Sequence, residues 1–193
     1  MDELEINVRK DFLTKEDIPD IENIRKIIIG NSVKALDDFL FTELQNLEEI
    51  VLPTKLRFIG SSCFEDCKNL KNILIPDSVF FIGKNCFRGC EALRTLKLPA
   101  SLLEIKLSTF MDCLNLLSIE FNEGLQSICE RAFLGCISLT KIELPRSLKN
   151  LATLAFANCD ELTNIILKSN IKISCDSFYG CPKLDCPMLA SKL

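Results

Sequence analysis

The chain has 193 residues, 48% hydrophobic and 26% charged, with a formal net charge of −4. That is enough apolar matter for one domain with a sizeable core, and the acidic balance argues against nucleic-acid or anionic-membrane binding. There is no His, which removes Ser-His-Asp and Cys-His nucleophiles, His-based zinc sites and the usual general base near neutral pH.

The N-terminus, Met1-Asp2-Glu3-Leu4-Glu5-Ile6, is acidic and carries no apolar run. It does not read as a secretory signal, and no stretch approaches the roughly 18 apolar residues of a membrane span. A cytoplasmic location is therefore expected. Residues 1–23 mix Phe12, Leu13 and Ile18 with charges and are read as a cap that keeps the first repeat from exposing its core.

From residue 24 onward the chain is periodic. Phe41, Phe64, Phe87, Phe110, Phe133 and Phe156 are each 23 residues apart, and Phe178 follows after 22. From Phe64 on, each Phe is followed three residues later by Cys (Cys67, Cys90, Cys113, Cys136, Cys159, Cys181), and three further on by Leu. A period of this length means a solenoid whose turns bury their apolar faces only against their neighbours. Seven turns span residues 24–183, and residues 184–193 remain as a short C-terminal cap or tail.

Each turn divides into three elements. Pairs such as Ile73-x-Ile75 and Leu96-x-Leu98 alternate in and out and predict a short strand, so that stacked turns make a parallel sheet. Pro53, Pro76, Pro99 and Pro145 end that strand, because proline cannot donate to the ladder; Asn122 and Lys168 stand in the Pro place in two turns. A Leu-x-x-Ile segment then crosses the back. Phe-x-x-Cys fits one face of a short helical or 3₁₀ turn. The residue before Phe is small in most turns: Cys63, Cys86, Thr109, Ala132, Ala155 and Ser177. Six of eleven cysteines fall on one repeat position, which makes a ladder of reduced, buried thiols rather than a disulfide framework.

The turn Leu-x-x-Ile-x-Leu-Pro-x-x-Leu-x-x-Ile followed by Phe-x-x-Cys resembles the BspA-like leucine-rich repeats over roughly residues 24–184. The resemblance implies a leucine-rich-repeat solenoid (α/β, mostly β): a right-handed, curved stack of about seven 23-residue turns. A parallel sheet would line the concave face, with short helical turns elsewhere. It also implies protein–protein contact or adhesion, supplies no catalytic residues and calls for no cofactor.

Two surfaces stand out. The outward strand positions include Val51, Lys71, Leu74, Arg94, Lys97, Glu120, Lys141 and Glu143. There Lys71, Arg94 and Lys97 are read as a small basic cluster beside acidic Glu120 and Glu143, with Val51 and Leu74 adding apolar area, a mixture that suits a protein partner. The second is an apolar cluster of Phe58, Phe80, Phe81 and Leu103 between core positions, where later turns carry Gln126, Ser127, Lys149 and Asn150.

Cys63, Cys67, Cys86 and Cys90 form a CxxxC pair in each of two neighbouring turns, but ladder and small-residue positions already account for all four, so no metal is expected. Lys55-Leu56-Arg57-Phe58 matches a phosphatase-docking motif, with Leu56 at a core position. Ser191-Lys192-Leu193 reads as a peroxisomal address if it is the native terminus. The leading expectation is a non-enzymatic module binding an unidentified protein through the concave sheet. The alternatives are a regulatory subunit of an enzyme such as a phosphatase, and a surface adhesin. An exposed solenoid end offers a route to a homo-oligomer.

Overall fold

A computed structural model describes residues 2–19, 21, 23–168, 171 and 173–184. Two series of short parallel strands run the length of the stack. The first comprises Glu3–Ile6, Lys26–Ile29, Glu49–Val51, Asn72–Ile73, Thr95–Lys97, Ser118–Glu120, Lys141–Leu144 and Asn164–Leu167. The second comprises Phe12–Leu13, Ala35–Leu36, Phe58–Ile59, Phe81–Ile82, Glu104–Ile105, Ser127–Ile128 and Asn150–Leu151. Every recorded pairing is parallel and joins residues 23 apart, from Glu3↔Lys26 to Leu144↔Leu167.

The first series is not one continuous sheet. It pairs in stretches of four, two and two strands, and the second series in stretches of four and three. With strands of two to four residues, a small shift between turns is enough to interrupt the ladder. The back segment, expected as a plain crossing, is itself this second ladder. Residues 3–6 and 12–13, assigned from the sequence to the N-terminal cap, extend both ladders at the same 23-residue offset.

The corner between the ladders is made by the proline carbonyls. Leu56, Val79, Leu102 and Leu148 each donate a backbone N–H to the Pro three residues before, at 2.9–3.2 Å. After the second ladder the chain returns through a segment with residues of positive φ two before and two after most of the repeat phenylalanines, such as Ser108 (53°) and Asp112 (58°). These left-handed residues prevent a right-handed helix from propagating. The expected Phe-to-Cys helices are therefore single hydrogen-bonded turns (Cys90 N–H to the Phe87 carbonyl, 3.2 Å). Among the described residues 3₁₀ helix is limited to Lys15–Asp17 and Cys175–Phe178.

The return segment is held from turn to turn by backbone bonds. Each repeat Phe from 41 to 156 donates its N–H to the carbonyl of the residue just before the next Phe, at 2.7–2.9 Å. That residue is fully buried or nearly so in every turn, which is why it is small. The left-handed position two after Phe runs Asp66, Gly89, Asp112, Gly135, Asn158, Gly180. Glycine alternates there because a Cβ on Gly89, Gly135 or Gly180 would sit 2.1–2.5 Å from the Oδ1 of the preceding turn's Asp or Asn.

The core is a column of rings. Phe41 to Phe178 stack with centroids 4.8–5.6 Å apart and planes within 13° of parallel. The spacing follows the turn separation of about 4.8 Å. The ladder cysteines do more than fill space. Each Sγ lies 3.0–3.4 Å from the carbonyl oxygen of a Phe one turn back, 26 residues earlier from Cys67 (Phe41) through Cys159 (Phe133) and 25 earlier for Cys181 (Phe156). A thiol is small, and it is also a weak donor. Leu44 takes the place in the first turn, where no repeat Phe precedes it.

Candidate functional site

The outward face of the first ladder follows from strand alternation. Ile50, Ile73, Leu96, Ile119 and Ile142 point into the core, which turns their neighbours to solvent. Leu74 is 80% exposed and Val51 41%. Together with Glu49, Thr54, Asn72, Pro76 and Asp77 they line a groove of about 600 Å³.

The structure gives several of the charges read from the sequence partners on neighbouring turns. Lys71 pairs with Glu48 at 2.6 Å, and Lys97 with Glu120 at 3.4 Å, each across one turn. Glu143 meets Lys168 at 2.9 Å, and the same ammonium reaches back two turns to Glu123 at 3.3 Å. The 23-residue register sets acid beside base, so most of this charge is answered within the chain. The hydrogen bond from Lys71 holds the Glu48 carboxyl below its ordinary range, and that from Lys168 does the same for Glu143. Arg94 and Lys141 make no ion pair among the described residues.

The two replacements of Pro have distinct consequences. Asn122 donates through Nδ2 to the carbonyls of Ala100 (3.0 Å) and Leu102 (2.9 Å). The corresponding carbonyls one and two turns away receive the hydroxyls of Ser78 and Ser147. Gly124 stands in the serine place of this turn, so Asn122 supplies the donor that Gly124 lacks. Lys168, the other replacement, builds the ion-pair bridge to Glu123 and Glu143.

The apolar cluster lies on the second ladder. Phe58, Phe80, Phe81 and Leu103 are all exposed, and the N-terminal residues do not cover them. Phe80 meets Phe58 edge-on at 4.6 Å, and Phe81 lies 6.0 Å from it. Lys106 sits 5.8 Å from the Phe81 ring centroid and pairs with Glu104. Phe12, exposed and aligned with Ala35 and then Phe58, belongs to the same column. The sequence reading missed it, although its place 46 residues before Phe58 was the available signal.

Leu56 of the Lys55-Leu56-Arg57-Phe58 motif is fully buried, so the motif cannot insert into another protein while the turn is folded. Cys63, Cys67, Cys86 and Cys90 are fully buried free thiols. Among the described residues no group of three or more His, Cys, Asp or Glu is placed to hold a metal ion. Burial pushes the Cys67 thiol up to about 12 and raises Cys63, Cys86 and Cys90 as well. No helix among the described residues is long and apolar enough to cross a membrane. Ser191-Lys192-Leu193 lies outside the described residues.

The sequence profile of the BspA type leucine rich repeat region matches residues 19–125 and 103–193, in 6 copies. No curated protein matches the chain. Among solved structures, the fold is similar to a leucine rich cell surface protein from Faecalibacterium prausnitzii, with TM-score 0.73 and 27% identity, over 78% of this chain and 41% of that one. It is also similar to the leucine rich repeat protein of T. pallidum, with TM-score 0.77 and 24% identity, over 86% of this chain and 81% of that one. A leucine-rich repeat protein from Bacteroides ovatus aligns with TM-score 0.61 and 25% identity, over 84% of this chain and 48% of that one. The chain thus spans less than half the length of the F. prausnitzii and B. ovatus proteins.

Proposed function

The chain belongs to the BspA type leucine-rich repeat family, and from that premise we propose that it is a non-enzymatic module that binds a protein partner through the outward face of the first ladder. One observation carries the reading: Leu74, 80% exposed, stands beside Val51 at a groove in the regular face of the solenoid. A large aliphatic side chain held in solvent just past the end of a paired strand is an anchor for a partner's apolar side chain. The paired charges around it set orientation and rim hydration more than affinity. Arg94 and Lys141, left without ion pairs, are the cations available to a partner's carboxylates.

The test is affinity capture with the wild-type chain and with Val51→Ser combined with Leu74→Ser. The double variant should lose the captured partner and keep its melting temperature, because both side chains are exposed. Retention of every partner by that variant refutes the face.

A second reading, a module displayed at the cell surface, draws support from the likeness to the F. prausnitzii cell surface protein. The reduced thiol ladder instead supports the cytoplasm, a reducing compartment. Fractionation of the untagged protein, with protease shaving of intact cells, separates the two. In either location the partner, not a substrate, is what the face selects.

A further inference from the structure

The thiol ladder ends at Cys181, and there it reaches solvent. The ladder cysteines from Cys67 to Cys159 are fully buried, whereas Cys181 is half-buried. With exposed Cys175 it lines a cavity of about 510 Å³ between the last two turns, beside Asp160 and Lys183. Cys159 stands one turn behind it. The Phe156 N–H bonds the Ser177 carbonyl and the Asn158 N–H the Tyr179 carbonyl, both at 2.8 Å, and these bonds hold the two segments together. Backbones so joined run about 4.8 Å apart, inside the roughly 4.4–6.8 Å that a disulfide spans between Cα atoms. The two thiols face each other. The thiol–carbonyl contact of Cys159 is the longest in the ladder, 3.4 Å against 3.0–3.2 Å for the others, so its S–H is the one least committed to a carbonyl. Turned to Cys181, it holds that thiol below its ordinary value, while burial pushes up Cys67, Cys90, Cys113 and Cys136.

Peroxides oxidise thiolates that solvent can reach, and the sulfenic acid that results condenses with a second thiol beside it. Pairs such as Cys113 and Cys136 are stacked in the same way, but both members are buried. Among the described ladder cysteines, Cys181 alone combines access with a thiol neighbour. We propose that Cys181 and Cys159 form a redox site, in which a hydroperoxide oxidises Cys181 and Cys159 then closes a disulfide that staples the last turn to the one before it. The Cys181 sulfur, having lost its proton, attacks one peroxide oxygen. The O–O bond breaks, the sulfur is oxidised to sulfenic acid, and the other oxygen takes up a proton and leaves as water or an alcohol. The Cys159 sulfur then attacks the Cys181 sulfur, the S–O bond breaks, and the hydroxide leaves as water with the Cys159 proton. A dithiol returns both cysteines by exchange through a mixed disulfide.

Hydrogen peroxide is the probe. The full chain, reduced with a phosphine and then freed of it, is exposed to peroxide, blocked with an alkylating reagent under denaturing conditions and mapped by mass spectrometry. The thiol count should fall from eleven to nine, with one cross-linked pair of peptides joining Cys159 to Cys181, and dithiothreitol should restore it. Cys181→Ser should slow the loss of thiols at least about tenfold. Cys159→Ser should leave Cys181 as a sulfenic acid that a 1,3-diketone captures. Cys175→Ser should keep the disulfide, formed at a rate within about twofold of wild type. The cross-link in the wild type decides the matter even if a variant folds poorly. A count that stays at eleven, a cross-link that joins Cys181 to Cys175 or Cys186 instead, or a Cys159→Ser variant that still loses two thiols would each overturn it.

Discussion

Raising the pH should destabilise this solenoid from within, because its core is rich in thiols whose ionisation burial opposes. Cys63, Cys67, Cys86, Cys90, Cys113 and Cys136 are fully buried, and desolvation raises each above the ordinary thiol value near 9.0. A group whose folded pKa is raised contributes stability that is intact below its unfolded pKa and is lost as pH climbs toward the folded value. The window therefore opens near pH 9 and extends toward pH 12, where Cys67 titrates in the fold. Each unfolded thiol favours unfolding by about 0.4 kcal/mol at pH 9 and about 1.4 kcal/mol at pH 10. For the six together that is about 2.5 and about 8 kcal/mol, against a total stability of about 5–15 kcal/mol for an ordinary domain. The chain has no His to add a slope at lower pH. Urea unfolding followed by circular dichroism at pH 8, 9 and 10, with a phosphine reductant to keep the thiols reduced, should show stability falling by about 6 kcal/mol between pH 9 and 10. Cys113→Ala with Cys136→Ala should flatten that fall by about a third, whatever it does to stability at pH 8. A profile that stays level from pH 8 to 10, or a slope untouched by the double variant, would refute the assignment of buried, protonated thiols.

Phe110→Ala should cost about 3–5 kcal/mol, toward the upper end because the ring stacks on both Phe87 and Phe133, at 5.4 and 5.2 Å. Lys97→Ala removes one exposed ion pair and should cost well under about 1 kcal/mol; equal melting shifts for the two would contradict the repeat alignment. Asn122→Ala strips the donor from the Ala100 and Leu102 carbonyls and should cost about 1–3 kcal/mol. Adding Gly124→Ser should recover part of that loss, as Ser147 serves the Leu125 carbonyl one turn on; a double variant no more stable than Asn122→Ala by urea titration would show that the two positions do not exchange the role.

The solenoid is legible in the chain because burial follows residue type. Phe, Cys and Leu recurring every 23 residues have one arrangement that hides them all, and proline after four of the strands leaves the ladder one place to end there. The column of rings, the burial of the ladder cysteines and the outward placement of Val51 and Leu74 all follow from that. What the tertiary structure decided depends on neighbours a turn or more away. Lys71, Lys97 and Glu143 read as a mixed field along the chain, yet each meets its counter-charge on another turn, at Glu48, Glu120 and Lys168. Cysteine at the ladder looks like a small hydrophobe until its Sγ is seen against a carbonyl 26 residues back. Asn122 looks like a lost proline until Gly124 is seen to lack the serine hydroxyl. The expected short helices gave way to single turns because residues two before and two after the repeat Phe take positive φ, in a segment held by turn-to-turn hydrogen bonds. Hydrophobicity is carried by each residue alone and repeats with the sequence. Hydrogen bonds and ion pairs belong to pairs of residues, and only the stacked turns bring those pairs together.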